Sequence, residues 1–157
     1  KWTNDLVLDR RKLCGILTEL GLEGESASLQ YAAVGVGINV SQQAADFGPV
    51  AAPVAVSLAQ VLGKAPRRTD LAIALLRALD NMYRDFPARR DSWYERYRRD
   101  CLTLGRQVRV FRGSDSFTGV AEDLAGDFSL IVRRADGSRE IVNAGDVSVR
   151  GLLGYTE

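Results

Sequence analysis

Residues 5–20, DLVLDRRKLCGILTEL, decide the fold that we predict for this chain. Residues 5–9 form a short apolar run that predicts a strand, and residues 12–20 predict a second one. The pair Arg10-Arg11 between them is placed where the chain would turn. Apolar and polar residues alternate imperfectly, but the alternation supports half-buried β structure. The stretch therefore predicts a hairpin of two strands.

A third strand and several helices are predicted downstream of this hairpin. Residues 29–40, LQYAAVGVGINV, form a nearly all-apolar run, which is typical of a strand covered on both faces. A buried central strand of this kind implies that helices pack on one face of the sheet. Helices are predicted over residues 55–62, 70–86 and 88–101. Pro87 is expected to end the second of them.

The character of the sequence changes near residues 103–105. Residues 106–150 have no helical period and contain short apolar runs separated by glycine, aspartate and serine. Four such runs lie at residues 107–111, 117–121, 128–133 and 139–143. This spacing predicts a small β-barrel after a boundary near residue 104. The expected class is α+β, with a mixed or antiparallel sheet followed by the barrel.

The bulk composition excludes several classes of protein. The net charge is +1, so the molecule has no strong field to capture nucleic acid or an anionic membrane. No apolar run approaches the ~20 residues of a membrane span, and no secretory signal opens the chain. Cys14 and Cys101 are interpreted as free thiols in a reducing cytoplasm. We expect a cytoplasmic protein.

Histidine is absent from the chain. Its absence excludes Ser-His-Asp and Cys-His catalysis within these residues and removes the commonest zinc ligand. Any chemistry must use lysine, arginine, carboxylates, hydroxyls or backbone amides. A reaction between an anionic nucleophile and a phosphate ester fits this inventory, because it needs positioned cations more than a neutral base.

Two groups of residues are candidates for a binding site. Lys1, Asn4 and Asp5 fall at the start of the first strand, and Lys12 opens the second. Lysines placed there could gather phosphates and carboxylates, and Asp5 could hold Mg²⁺ or orient an ammonium. The alternative interpretation is a hairpin with solvated, charged ends.

The second group lies on the third strand. Gly35 and Gly37 alternate there, so both clear the same face and leave a floor for a flat ligand, with Asn39 on that face. An asparagine amide can donate and accept at once, which suits an adenine edge. The alternative is that the glycines make room for a helix. A third glycine and a following helix, which a dinucleotide-binding fingerprint requires, are missing.

Together these segments resemble the biotin–protein ligases. Residues 1–19, KWTNDLVLDRRKLCGILTE, resemble the family's lysine-tryptophan-proline-asparagine-aspartate strand and the arginine-lysine-leucine-alanine-glycine-isoleucine-leucine strand that follows it. VGVGINV (34–40) resembles its glycine-x-glycine-isoleucine-asparagine strand, and AGDVSVRG (144–151) its C-terminal signature. Thr3 and Cys14 depart from this pattern, since the family usually has proline and alanine there.

The resemblance implies a fold and an activity. Residues 1–104 would be the C-terminal part of a class II synthetase-like catalytic domain, and residues 105–157 an SH3-like barrel. The activity would be ATP-dependent formation of biotinyl-5′-AMP, followed by transfer of biotin to a lysine of the biotin carboxyl carrier protein. A homodimer is possible, with no membrane and no nucleic acid bound by this part of the chain.

The resemblance also implies a role for each candidate residue. The catalytic set would be Lys12, Asp5 and Lys1. Biotin would meet Lys12 and the backbone around Gly15, Ile16 and Leu17. ATP would meet Lys1, Asn4, Gly35, Gly37 and Asn39. Asp5 would help to place Mg²⁺ or the incoming lysine.

Two alternatives and one further hypothesis stay open. A lipoate or octanoate ligase is expected to share the catalytic fold. A non-catalytic binding module is suggested by the arginines of residues 84–99, although acidic residues interleave with them and favour a salt-bridged surface. Finally, the family's glycine-arginine-rich loop is not found in these residues, so we hypothesise that the chain alone is inactive or very weak.

Overall fold

The chain folds into two compact units. In the computed structural model, one unit comprises Asn4–Pro66, and the other comprises Lys1–Thr3 together with Arg67–Glu157. The structure describes residues 1–24, 28–143 and 147–151, the last of these through the backbone alone. The predicted α+β class with antiparallel sheets is confirmed.

The unit Asn4–Pro66 contains a three-stranded antiparallel sheet in the order β1-β2-β3. Its strands are β1 (Asp5–Leu8), β2 (Arg11–Glu23) and β3 (Ser28–Ile38). Asp9 and Arg10 form the turn between the first two, both with positive φ (48° and 62°). Such angles are typical of a tight hairpin turn whose twist matches its strands. The predicted hairpin is therefore confirmed, with its turn one residue earlier than expected.

The third strand differs from its prediction. We expected a buried central strand, but β3 lies at the edge of the described sheet and none of its residues is buried. One face of β2 and β3 carries large apolar side chains that are more than half exposed: Leu20, Leu22, Leu29 and Val34. An apolar run indicates that a strand needs covering, but it does not indicate which segment covers it.

Short helical segments follow the sheet in the same unit. A 3₁₀ turn (Ala44–Phe47) leads into α1 (Gly48–Ala51), and α2 (Leu58–Leu62) comes next. Ser57 caps α2 through its side chain and forms a capping box with Gln60. Serine is favoured at the N-cap position and disfavoured inside a helix, so α2 begins directly after Ser57, three residues later than the predicted start at 55.

A long helix, α3 (Arg68–Asp100), belongs to the other unit. We expected Pro87 to separate two helices, and that prediction is wrong in position. The run continues through Pro87 and kinks at Arg89, whose φ and ψ (−120°, 19°) are not helical. Proline removes one backbone donor and crowds the turn before it, so it biases a helix toward a bend or an end, and here the break lies two residues beyond it. No helix in the described part of the chain combines the length and apolarity that crossing a bilayer requires.

The second sheet is antiparallel and has the order β7-β6-β5-β4-β8. Its strands are β4 (Gln107–Arg112), β5 (Asp115–Leu124), β6 (Leu130–Arg133), β7 (Arg139–Val142) and β8 (Val147–Gly151). Within the described residues, β7 and β8 are the two edges and do not pair with each other. Closure into an SH3-like barrel therefore stays a prediction.

The core of this unit includes a residue from the start of the chain. Trp2 is 2% exposed and packs with buried residues of the sheet: Val108, Val110, Ala121, Leu124, Leu130, Val132 and Val142. Tyr94 and Tyr97 of α3 pack against the same cluster. The contacts thus divide the chain after Pro66, whereas the sequence boundary near residue 104 marks the start of the strand-rich segment and stays a prediction.

Candidate functional site

A cleft of about 480 Å³ lies against the three-stranded sheet. It is lined by Asn4, Asp5, Lys12, Gly15, Ile16, Leu17, Gly35, Val36 and Gly37. Every lining residue except Val36 is a predicted site residue, and the volume lies within the usual range for small-molecule sites. Two predicted residues do not line it: Lys1 belongs to the other compact unit, and Asn39 lies just past the end of β3.

A β-bulge directs Lys12 toward the cleft. Strict alternation along β2 would place Lys12 and Gly15 on opposite faces. However, Leu6 pairs with Cys14 and Val7 pairs with Lys12, so Leu13 is an extra residue on β2. The extra residue re-aims the lysine onto the face of Gly15, as bulges near binding sites commonly do. The sequence contained no signal for this bulge.

Lys12 and Asp5 form an ion pair beside the cleft. Lys12 Nζ lies 2.7 Å from Asp5 Oδ1. The Asp5 side chain is 9% exposed and that of Lys12 is 38% exposed, so the carboxylate is held inside while the ammonium reaches the solvent. A lysine ammonium has three donors, and one contact with Asp5 leaves it able to bind an anionic ligand. The Lys12 ammonium, held in place by Asp5, can therefore offer its further donors to a carboxylate or phosphate.

Gly15 provides the space that this ammonium occupies. A methyl group on Gly15 would lie 3.1 Å from Lys12 Nζ and 3.2 Å from its Cε. Both distances are tighter than ordinary contacts, so an alanine would push the lysine head away. Glycine at this position is therefore explained by the placement of Lys12.

Gly35 and Gly37 have a different explanation. Gly37 pairs with Gly15, and Gly35 pairs with Leu17 across β2 and β3. A methyl group on either glycine would meet only a backbone carbonyl oxygen, at 3.7 Å, within the described chain. Packing inside this structure does not require glycine at these positions, which favours the interpretation that they leave a floor for a ligand.

Asn39 fixes the backbone at Lys12. Its Nδ2 donates to Lys12 O (3.2 Å) and to Val56 O (3.1 Å). Lys12 N also donates to Val54 O, and Val56 N donates back to Lys12 O. We predicted that Asn39 would read a nucleobase with both a donor and an acceptor, but its donor is committed to the backbone. A nucleobase contact by this side chain would have to use Oδ1.

The segment around residues 54–56 was missed by the sequence interpretation. It forms a parallel bridge with Lys12 through Ala55, and Val56 is fully buried. These residues are ordinary apolar ones with no spacing that marks a site. Their contribution is to hold the start of β2, and only the pairing register reveals it.

Asn4 joins the start of the chain to the floor of the cleft. Its backbone oxygen accepts a hydrogen bond from Ile16 N (2.9 Å), and its side-chain amide donates to Ile16 O. The side chain therefore has a structural contact in addition to lining the cleft.

Cys14 lies on the opposite face of β2, is 1% exposed, and has its pKa raised by burial. Cys14 is a free thiol, as the sequence predicted.

A metal would depend on Asp5. Within the described ranges, no three histidine, cysteine, aspartate or glutamate side chains gather as a metal cluster. Mg²⁺ commonly binds through one or two carboxylates and the phosphates of its nucleotide, so a single aspartate beside a phosphate site fits it.

The arginines of α3 make contacts within their own unit. Arg98 pairs with Asp123 through two hydrogen bonds (2.5 and 2.9 Å), and Arg89 pairs with Asp85. Arg96 lies over the Trp93 ring. These contacts agree with the expected salt-bridged surface and weaken the alternative of a nucleic-acid-binding helix.

Comparison with known proteins gives consistent matches along the chain. The family described as biotin protein ligase C terminal domain matches residues 103–150. The matched range includes part of the AGDVSVRG signature, of which residues 144–146 lie outside the described structure. Biotin--[acetyl-CoA-carboxylase] ligase of Mycobacterium tuberculosis is 32% identical over 94% of this chain and 51% of its own length. Bifunctional ligase/repressor BirA of Bacillus subtilis is 28% identical over 92% of this chain and 44% of its own.

Solved structures agree on the fold. The apo biotin protein ligase of Aquifex aeolicus superposes with a TM-score of 0.78 at 24% identity, covering 96% of this chain and 63% of that one. The same enzyme in complex with biotin and ATP gives 0.76 and covers 60% of its chain. The present chain thus spans about half of the length of the relatives it matches.

Proposed function

From the premise that the chain is a C-terminal region of the biotin–protein ligase family, we propose that it belongs to an enzyme that activates biotin with ATP and transfers it to a carrier lysine. The observation that carries the proposal is the Lys12 ammonium, which the bulge at Leu13 turns toward a glycine floor. A cation beside the open surface at Gly35 and Gly37 suits an acyl-adenylate, which combines an acyl group, a phosphate and a flat nucleobase.

In the first step, a carboxylate oxygen of biotin attacks the α-phosphorus of ATP, and the bond to the β-phosphate breaks. Biotinyl-5′-AMP forms and pyrophosphate leaves. The carboxylate is already ionised at neutral pH, so the step needs no general base, which agrees with a chain that lacks histidine. Lys12 binds the carboxylate and then stabilises the charge that builds on the phosphate.

The remaining residues have supporting roles. The backbone around Gly15, Ile16 and Leu17 surrounds the acid end of biotin, and Gly35 and Gly37 seat the adenylate. Lys1 faces the ATP phosphates, with Asn4 near the nucleotide. Asn39 flanks the adenine only through Oδ1, because its donor is engaged elsewhere.

Asp5 would hold Mg²⁺ together with the nucleotide phosphates, and the ion would offset phosphate charge when bound. In the second step, the carrier amine attacks the acyl carbon of the mixed anhydride, and AMP leaves. The attacking amine must lose a proton, and Asp5 is our candidate to orient it or accept that proton. The Lys12 contact at 2.7 Å keeps this carboxylate at the cleft.

The wider assignments follow from the same proposal. The protein partner is a biotin carboxyl carrier protein, in the cytoplasm, with no membrane and no nucleic acid bound by these residues. A homodimer is part of the proposal. We retain the boundary at residues 104/105 and an SH3-like barrel for residues 105–157, on the support of the matched family segment.

A paired substitution in an intact ligase carrying this segment tests the function. Lys12→Ala removes the cation of the cleft, while Lys64→Ala removes an exposed lysine that does not line it. Calorimetry should show weaker binding of both biotin and biotinyl-AMP for Lys12→Ala and wild-type binding for Lys64→Ala. Equal affinities in the two variants would contradict the role of Lys12.

Substrate identity is tested with the unmodified ligase. Incubation with ATP and either biotin or lipoate, followed by detection of the acyl-adenylate, should give product with biotin. Adenylate formation with lipoate instead would favour the lipoate ligase alternative. The purified 157-residue chain should form little or no biotinyl-AMP, and a clear yield would refute our hypothesis that it is inactive alone.

A further inference from the structure

The backbone of Lys12 is bonded along the edge of β2 just beyond the reach of β3. The residue pairs between β2 and β3 start at Cys14. At Lys12, the segment of residues 54–56 takes the place of β3 and forms a parallel bridge. Lys12 N donates to Val54 O (2.7 Å), and Val56 N donates to Lys12 O (2.9 Å). The start of β2 is therefore held by this segment.

Asn39 lies where β3 ends, and it joins β2 to the 54–56 segment. Its backbone N donates to Leu13 O (2.9 Å). Its side-chain Nδ2 donates to Lys12 O (3.2 Å) and to Val56 O (3.1 Å), so both amide hydrogens are used. One side chain thus fixes the backbone on both sides of the bridge.

These backbone contacts bear on the direction of the Lys12 side chain. The bulge at Leu13 lies directly after Lys12, and a bulged strand bends and is locally irregular. At the far end of the side chain, Nζ contacts Asp5 Oδ1 (2.7 Å). A long side chain is placed accurately only if its backbone is fixed as well, because each torsion of its stem has several staggered states. Asn39 and the 54–56 segment supply that fixed backbone.

We propose that Asn39 is a positioning residue that directs the Lys12 ammonium to the carboxylate of the acid substrate. The inference rests on the proposed function, which assigns Lys12 to the carboxylate of biotin, and all of its residues belong to the unit Asn4–Pro66. It gives both amide donors of Asn39 a role that needs no nucleobase. Without these donors the backbone at Lys12 has more conformations, so binding of the carboxylate loses more conformational entropy.

Asn39→Ala and Ser57→Ala form a matched pair for the test. Asn39→Ala removes the two donors described above. Ser57→Ala removes a hydroxyl that donates to Gln42 O (2.6 Å) and accepts from Gln60 N, within the same unit and next to the same segment. Both changes delete side-chain bonds to backbone groups, so both should lower the urea midpoint of the chain. Only Asn39→Ala removes a contact of Lys12.

Calorimetry of an intact ligase carrying this segment should separate the two variants with no nucleotide present. We expect Asn39→Ala to raise the Kd for biotin about three- to tenfold, which is part of what loss of a charged hydrogen bond costs. Biotinamide, which has a neutral amide in place of the carboxylate, should bind Asn39→Ala and the wild type within about twofold of each other. Ser57→Ala should bind both probes as the wild type does.

A milder variant keeps the test valid if Asn39→Ala does not fold, as judged by circular dichroism. Asn39→Ser retains one donor and then replaces it with the same expectations.

A double substitution tests whether Asn39 acts through Lys12. In a Lys12→Ala background, Asn39→Ala should raise the Kd for biotin no further, because the ammonium that it positions is gone. The inference is overturned if this effect persists without Lys12, or if biotin binds Asn39→Ala as tightly as the wild type. Equal weakening of biotin and biotinamide, or equal weakening by Ser57→Ala, would also overturn it, since a general loosening would then explain the result. If Lys12→Ala itself binds biotin like the wild type, the proposed function fails at Lys12 and the inference with it.

Discussion

Substitution of Gly37 by alanine should separate ligand binding from folding. In the described structure, the added methyl group would meet one atom within 4 Å, the carbonyl oxygen of Gly15 at 3.7 Å. That is an ordinary contact, and the backbone at Gly37 does not have the positive φ that would strain an alanine. The substitution should therefore not lower the stability of the folded chain. Alanine also has less freedom than glycine in the unfolded chain, which stabilises a strand by about 0.5–1 kcal/mol.

The same methyl group would stand on the floor of the cleft. If a flat ligand lies on that floor, the ligand has to shift or the strand has to give, and overpacking of this kind costs about 1–3 kcal/mol. The affinity for nucleotide or adenylate should therefore fall by roughly 5- to 150-fold. Gly35→Ala should act in the same way, since its methyl group would meet only Leu17 O at 3.7 Å.

The experiment compares stability and affinity in the same variants. Urea unfolding measures the free energy of unfolding, and calorimetry measures binding of biotinyl-AMP to an intact ligase carrying this segment. Gly126→Ala is the control, because a methyl group there would have open space and the residue does not line the cleft. Stability should be unchanged or slightly raised in all three variants, whereas affinity should fall only in Gly35→Ala and Gly37→Ala.

Two results would refute this reasoning. If both cleft variants bind the adenylate as tightly as Gly126→Ala, the glycines do not form a ligand floor. If Gly37→Ala instead loses more than about 1 kcal/mol of stability, another element packs on that face. The second result would support the alternative that the glycines make room for a helix.

Asn39→Asp removes both amide donors and places a carboxylate against the carbonyl oxygens of Lys12 and Val56. The free energy of unfolding, measured in urea, should therefore fall by about 2–4 kcal/mol. An unchanged urea midpoint would show that the two hydrogen bonds of Asn39 contribute nothing to stability. Burial raises the pKa of the Cys14 thiol, so at pH 8 it should react with a disulfide reagent far more slowly in the native chain than in urea. Equal rates in the two conditions would contradict its burial. A side-chain hydrogen bond from Arg98 lowers the pKa of Asp123 in the folded chain. The pair therefore stabilises the fold at pH values above the pKa of an unfolded aspartate, about 3.9. This stabilisation is lost as the pH falls through the lower pKa of the folded state. Stability should therefore decline less steeply below pH 4 in Arg98→Ala, and identical acid titrations by circular dichroism would count against it.

Local patterns predicted the elements of the fold well. The hairpin at residues 5–20 and the end of α2 at Gly63 follow from short-range preferences, and the structure has both. Pro87 was harder, because proline only biases a helix toward ending. Packing of Tyr94 and Tyr97 holds the second half of α3 in place, so the chain kinks at Arg89 instead of stopping.

The candidate site was predicted in composition but not in geometry. Motif resemblance selected the residues that line the cleft, yet alternation along β2 would have placed Lys12 on the wrong face. The bulge at Leu13 decides its direction, and a bulge depends on pairing with another strand. The contacts of Trp2 with Thr103 and Phe128 were also out of reach, because no local rule links residues about a hundred positions apart.

The extra residue in β2 also limits how this part of the gene can vary. Deleting Leu13 would give β1 and β2 an uninterrupted ladder in which Lys12 still pairs with Val7 and still shares the face of Gly15. The deletion would, however, remove the carbonyl oxygen that accepts a hydrogen bond from Asn39 N. Exchanges of the side chain at position 13 keep that acceptor, so descendants of this sequence should accept them more readily than a loss of the codon. A small irregularity in pairing would then act as a length constraint on the coding sequence, enforced by one backbone oxygen.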